Sequence, residues 1–154
     1  MLKPDQLKQV ALFAALEPAH LAQVVSLAVE EEYPAGARIF NEGDPGDRLF
    51  VIIEGRVRIS KLIPNAGEEA LTILEAGSYF GEMALIDEST RSAHAIAHST
   101  VRLASIERTA FEQLLFVNRD LAYDVLWSFV RTLSSRLRET NDKLKTFFVL
   151  SGGF

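Results

Sequence analysis

The sequence contains no cysteine, only two methionines and one tryptophan, and three histidines. Without thiols there is no disulfide scaffold, no thiolate metal site and no cysteine nucleophile. No stretch approaches the roughly 18 consecutive apolar residues that cross a bilayer, so neither a membrane span nor membrane insertion is expected. Lys3 and the apolar run Val10 to Leu16 lie near the N-terminus, but Asp5, Gln6 and Gln9 break up what would be a signal peptide, and the cytoplasm is the expected compartment. Basic charge is also scarce: 16 Lys and Arg stand against 21 Asp and Glu, a net charge of −5, which excludes nonspecific coating of nucleic acid. What remains is an ordinary globular balance, 48% hydrophobic and 24% charged, over 154 residues, about one domain with room for a proper core.

Three textures follow one another along the chain. From Leu2 to Val29, Leu7, Val10, Ala11, Phe13, Ala14 and Leu16, then Leu21, Val24, Val25 and Leu27, recur three and four apart. This spacing predicts two short amphipathic helices split at Pro18. From Glu30 to Glu107, short apolar runs predict strands at Leu49 to Ile53, Val57 to Ile63, Leu71 to Leu74, Ala93 to Ala97 and Val101 to Ile106. Between them Glu42-Gly43-Asp44-Pro45-Gly46-Asp47, Glu54-Gly55-Arg56, Pro64-Asn65-Ala66-Gly67 and Glu75-Ala76-Gly77 read as turns. Many short strands at such spacing argue for a sandwich or barrel.

After Ile106 helix returns, first around Thr109 to Val117 and then in one long segment from Asn118 to about Phe148. Leu126, Val130, Leu133, Leu137, Thr140, Leu144 and Phe147 alternate four and three apart, a heptad seam. Such a helix would be about 45 Å long, more than a small β domain covers, so either a second copy of the chain packs on the seam or the helix lies on its own domain. No internal repeat or low-complexity tract is present.

Chemistry concentrates in Phe80-Gly81-Glu82-Met83-Ala84-Leu85, followed across Ile86-Asp87-Glu88-Ser89-Thr90 by Arg91-Ser92-Ala93. A glycine admits close approach of backbone to a ligand, and free amides at a helix start attract a phosphate. Arg91 offers a charge-assisted fork and Glu82 an acceptor for a sugar hydroxyl. By themselves, an Arg and a Glu nine residues apart also fit a surface ion pair.

The segment Phe80 to Ala95 closely resembles the phosphate-binding cassette of the cyclic nucleotide-binding domain family, and Glu42-Gly43-Asp44 and Glu54-Gly55 resemble its earlier glycine turns. The resemblance covers essentially the whole chain. It implies an α+β fold: an eight-stranded antiparallel β-roll of the double-stranded β-helix or jelly-roll type, with N-terminal helices and a long C-terminal helix. Residues 1–117 would form the nucleotide-binding roll with its helices, and residues 118–154 a dimerisation or lid helix with a short tail.

Position by position, the resemblance implies that Arg91 pairs with the cyclic phosphate and Glu82 holds the ribose 2′-hydroxyl. Gly81, Met83 and Ala84 would lend backbone, Ser92, followed by Ala93, would reach the phosphate or the base, and Ile59 and Leu71 would line the base pocket or serve as plain core. Arg136-Leu137-Arg138-Glu139-Thr140-Asn141 resembles the stretch that, in the catabolite activator branch, sets a Thr-Ser pair against adenine. Thr140 matches the first of the pair and Asn141 replaces the second, while Arg136 matches an arginine near the ribose carboxylate. Thr140 also fits a polar register-setter of the seam, and Arg136 a solvated flank. Ser78 and Thr90 depart from the family's usual aspartate and proline.

The expected function is a stand-alone cyclic nucleotide receptor, with cAMP favoured over cGMP, a homodimer through its long helix, acting on an unidentified protein partner. The transcription-factor branch continues into a helix-turn-helix domain, whereas this sequence stops at Ser151-Gly152-Gly153-Phe154, so no direct nucleic-acid binding is expected. No catalytic residue, cofactor or metal is expected either. Two other readings stand beside this one: a constitutive dimeric scaffold with a relic pocket, and a cupin-like metalloenzyme. The latter needs a His-x-His pair with distant Glu and His, and the chain offers only His20, His94 and His98.

Overall fold

The structure, a computed structural model, describes residues 1–83 and 89–152. The chain runs through α1 (Pro4–Lys8), a 3-10 turn (Ala11–Phe13) and α2 (Pro18–Leu27) into β1 (Ala28–Tyr33). Then come β2 (Arg38–Phe40), β3 (Arg48–Glu54), β4 (Val57–Ile63), β5 (Gly67–Leu74), β6 (Tyr79–Phe80), β7 (His94–Ala97) and β8 (Val101–Glu107). Two helices follow, α3 (Arg108–Val117) and α4 (Arg119–Leu150). The eight antiparallel strands form two four-stranded sheets ordered β1-β8-β3-β6 and β2-β7-β4-β5, the jelly-roll arrangement expected.

The central strands β8 and β3 of the first sheet are buried on both faces, and their sequence alternates to suit. On β3, Leu49 and Val51 face the helical layer while Phe50 and Ile52 face the roll interior. On β8, Ala104 and Ile106 point to the helices and Val101 and Leu103 into the roll. This period of two makes near-continuous apolar runs of these strands and divides the core into two clusters. At about 1.5–3 kcal/mol for each large apolar side chain removed from water, the two clusters supply the main driving force of folding.

The N-terminal region departs from the expected pair of helices. The first forms only α1, because Val10 turns extended (φ −83°, ψ 127°) and a 3-10 turn follows. The break lets Leu7, Val10, Leu12, Phe13 and Leu16 all reach the core, and the Ala11 N–H donates to the Gly77 carbonyl at 3.2 Å. The second helix stops at Leu27, since Ala28 and Val29 pair with Ile106 and Ser105 as the start of β1. Propensity would have allowed helix here, but strand pairing on the sheet edge prevails.

Each strand run expected between Leu49 and Ile106 corresponds to a strand: β4 has the expected ends, β3, β5 and β8 extend beyond the expected run by up to four residues at an end, and β7 omits Ala93. Pro64 to Gly67 closes the β4–β5 hairpin, with Asn65 (φ 67°) and Gly67 (φ 79°) left-handed. At Gly55 (φ 88°) a Cβ would lie 2.3 Å from the Thr100 carbonyl oxygen, so only glycine lets the β3–β4 turn pack on the β7–β8 turn.

Helix α4 is divided in its environment. Leu121, Val125 and Phe129, each four apart, pack into the helical core cluster. The heptad seam lies on another face: Leu126, Val130, Leu137, Leu144 and Phe147 are exposed, with Leu133 half-buried. The first half of the helix therefore does pack on its own domain, and the apolar stripe beside that contact remains uncovered.

Candidate functional site

Strand β6 places the site. Tyr79 and Phe80 pair with Val51 and Phe50, and alternation sends the Tyr79 ring edge-on to Phe129 of α4 and the Phe80 ring flat onto Phe50. The chain then turns at Gly81 with φ +82°, where a Cβ would lie 2.6 Å from Arg91 Nη1 and 3.1 Å from the Arg48 carbonyl oxygen. Only glycine gives both that left-handed turn and room for a guanidinium beside it. Glu82 and Met83 then begin a helical turn.

Arg91 enters from the opposite side, held through its backbone by the Gly43 turn. The Gly43 N–H donates to the Arg91 carbonyl and the Arg91 N–H to the Asp44 carbonyl, both at 2.8 Å. The side chain is 5% exposed. Nη1 donates to the Gly81 carbonyl at 3.0 Å and Nη2 to the Arg48 carbonyl at 2.8 Å, while the buried Nε–H has no partner among the described residues. Burial pushes the guanidinium below its usual pKa, opposed by the nearby charges of Asp47, Asp44 and Glu82. Among the described residues no carboxylate forms an ion pair with Arg91. The geometry describes a desolvated cation short of an anion.

Glu82 is 3% exposed and pairs with Arg136 of α4, whose second nitrogen donates to the Tyr79 carbonyl. Arg136 is thus a clasp between α4 and the cassette and not a solvated flank. Two turns further on, Lys143 Nζ donates to the Leu71 carbonyl at 2.6 Å. That carbonyl is available because the β4–β5 register shifts there: Ile59 opposes Thr72 and Ser60 opposes Ala70, which leaves Leu71 as the bulged residue.

Between the cassette, the β4–β5 face and α4 lies a cleft of about 630 Å³. It is lined by Gly81, Glu82, Met83, Arg91, Ser92, Ala93, Ile59, Leu71, Arg136 and Thr140. Asn141 is the exception among the residues expected there. It is exposed and does not line the cleft, because a helical step of about 100° turns it off the face that carries Arg136, Thr140 and Lys143. Ala84 lies outside the described residues. Ser92 Oγ approaches Met83 Sδ at 3.8 Å, and Thr140 Oγ1 donates to the Arg136 carbonyl one turn back at 2.9 Å.

Sequence reasoning missed Phe40, Tyr79 and Lys143. Lys143 was detectable, since it stands seven residues after Arg136 and so on the same helical face. Phe40 carried no local signal. One ring nitrogen each of His94 and His98 is engaged with a neighbour: the Glu42 N–H donates to His94 Nδ1 at 3.0 Å, and Arg58 Nη1 lies 3.1 Å from His98 Nδ1. No cluster of three or more potential metal ligands occurs among the described residues.

An antiparallel roll thus carries a glycine-turn cassette, a buried arginine and a buried glutamate on one cleft. The chain belongs to the cyclic nucleotide-binding domain family, whose model matches residues 30–118. It is 33% identical over 138 residues to a CRP-like cAMP-activated global transcriptional regulator of Mycobacterium tuberculosis, covering 90% of this chain and 60% of that protein. The chain therefore spans about three fifths of that relative's length. It is 39% identical over 112 residues to isozyme 1 of the cGMP-dependent protein kinase of Drosophila melanogaster, covering 71% of this chain and 15% of the kinase. Among solved structures, a cyclic nucleotide-binding domain from Methylobacillus flagellatus KT superposes with a TM-score of 0.81 at 31% identity, covering 92% of this chain and 80% of that one.

Proposed function

We propose that this domain is a cyclic nucleotide receptor that prefers cAMP to cGMP, and that bound nucleotide resets α4 so that the signal passes in trans to a protein partner. The observation that carries the reading is Arg91, a buried guanidinium with an unmatched Nε–H on the wall of a cleft that also holds Glu82. A cyclic phosphate carries the single negative charge such a site lacks, and the ribose brings a hydroxyl that a carboxylate can accept. Because Glu82 is paired with Arg136, a ribose that competes for this carboxylate acts directly on α4. The preference for cAMP is supported by the likeness to the cAMP-activated regulator, which takes in 90% of the chain. The uncovered seam of α4 supports a homodimer, with the same face or its flanks presented to the partner.

Calorimetric titration of the purified protein with cAMP, cGMP and a cyclic dinucleotide tests this. The expected result is binding of one nucleotide per chain with cAMP the tightest. Binding of none of them would overturn the receptor reading and leave a scaffold with a relic pocket, and tighter binding of the dinucleotide would reassign the ligand.

A further inference from the structure

Among the described residues, the side-chain hydrogen bonds of Arg91 go to two backbone carbonyls, which hold the guanidinium at its edges. Two aromatic rings stand close to it. The Arg91 guanidinium carbon stands 4.3 Å from the ring centroid of Phe40 and 5.6 Å from that of Phe50. Phe40 reaches this position through an irregularity in β2: Arg38 opposes Ile96 and Phe40 opposes Ala95, so two residues of β2 advance against one of β7. A bulge of this kind re-aims a side chain. Here it brings the Phe40 ring to within 5.9 Å of Phe50 and 5.8 Å of Phe80, centroid to centroid, while Phe50 and Phe80 stack at 5.2 Å.

We propose that Phe40 is the positioning residue of the anion site, its ring face carrying the Arg91 guanidinium so that the edge N–H groups stay available to the ligand phosphate. This rests on the receptor reading above and extends it to a residue outside the cassette. An aromatic face attracts a cation most where water is excluded, as at this 5% exposed side chain. It does so without consuming any N–H donor. An aliphatic residue of similar bulk would fill the space but leave the guanidinium free to tilt.

The test pairs Phe40→Leu with Phe40→Tyr, alone and combined with Arg91→Ala, using calorimetric affinity for cAMP and the NMR signal of the Arg91 side-chain Nε–H in the nucleotide-free protein. Phe40→Leu should weaken cAMP binding about 5- to 30-fold, and Phe40→Tyr, which keeps the ring, should restore near-parent affinity. In the Arg91→Ala background Phe40→Leu should cost nothing further, since coupling vanishes when one partner is gone. The Nε–H resonance should lose its ring-current shift in Phe40→Leu and retain it in Phe40→Tyr. An unweakened Phe40→Leu variant, or an equal loss with and without Arg91, would overturn the proposal. If the parent bound no cyclic nucleotide, the receptor reading would fail by itself, and the Nε–H resonance would still decide whether Phe40 positions Arg91: an unshifted signal sinks it. Thermal unfolding of each variant separates loss of fold from loss of position.

Discussion

Arg91 and Glu82 are both more than nine-tenths buried, yet they are left in different states. Glu82 has an arginine of its own, while Arg91 has carbonyls and aromatic rings but no counter-ion among the described residues. In the proposed receptor the arginine is therefore the group whose charge an incoming phosphate would complete, and the glutamate the one whose existing partner would have to share it. Arg91→Ala should weaken cAMP binding about 30- to 1,000-fold, roughly 2–4 kcal/mol, with the fold retained, as calorimetry and thermal unfolding would show. Undiminished binding would remove Arg91 from the phosphate. Glu82→Gln keeps a carbonyl oxygen for Arg136 but loses the charge that favours a donated ribose hydroxyl. The variant should narrow the affinity difference between cAMP and 2′-deoxy-cAMP, and equal discrimination in parent and variant would place the ribose elsewhere.

At the scale of the element, α4 is anchored in two different ways. Its first turns are held by Leu121, Val125 and Phe129 in the core, an interaction that no small ligand disturbs. Further along, Arg136 and Lys143 clasp the cassette and the β5 bulge through polar contacts at the cleft. Polar clasps that involve partly exposed side chains exchange far more readily than a packed core. In the proposed receptor, the second half of the helix is thus the part that a ligand would reset. Arg136→Ala should speed amide exchange over residues 133–150 about tenfold or more while residues 121–129 stay protected. It should also cost about 1–3 kcal/mol in stability, because the Glu82 carboxylate keeps its burial and loses its partner. Uniform exchange along the helix in parent and variant alike would show that the clasp does not hold it.

For the whole molecule, the open question of packing is the stripe from Leu126 to Phe147. Leu137 is 61% exposed and Phe147 63%, at seam positions where a neighbouring helix would bury them. A second copy of α4 in antiparallel or parallel register supplies such a surface. Sedimentation should show a parent dimer that Leu137→Asp splits into monomers, since a charge in the seam loses its hydration without gaining a partner. The seam runs along the same half of α4 that Arg136 and Lys143 clasp, so adding cAMP should shift the dimer equilibrium, and dimerisation should change cAMP affinity by the same factor. A parent that sediments as a monomer with and without cAMP would leave α4 as an intramolecular lid.

Strand alternation, turn residues and helical spacing are properties of neighbouring residues. Physical chemistry of that kind was enough to read β3, β4, β8, the β4–β5 turn and the long helix from the chain alone. The cassette was legible for a related reason: Gly81, Glu82, Arg91 and Ser92 are close in sequence, and their residue types carry the chemistry directly. Other features depended on segments far apart. The N-terminal helix breaks at Val10 because a backbone hydrogen bond from Ala11 to Gly77 and the shape of the core decide it. Phe40 reaches Arg91 only through a bulge against β7, and the pairing of Glu82 with Arg136 joins residues 54 positions apart. Asn141 lies about 140° round the helix from Arg136, so spacing separates it from that face, and only which face meets the cleft was left to packing. Residue type and spacing thus determined most of the elements, and the family resemblance of the cassette pointed to the candidate site. Which face of each element meets which, and hence how the charge of Arg91 is held and that of Glu82 matched, was decided by packing between distant parts of the chain.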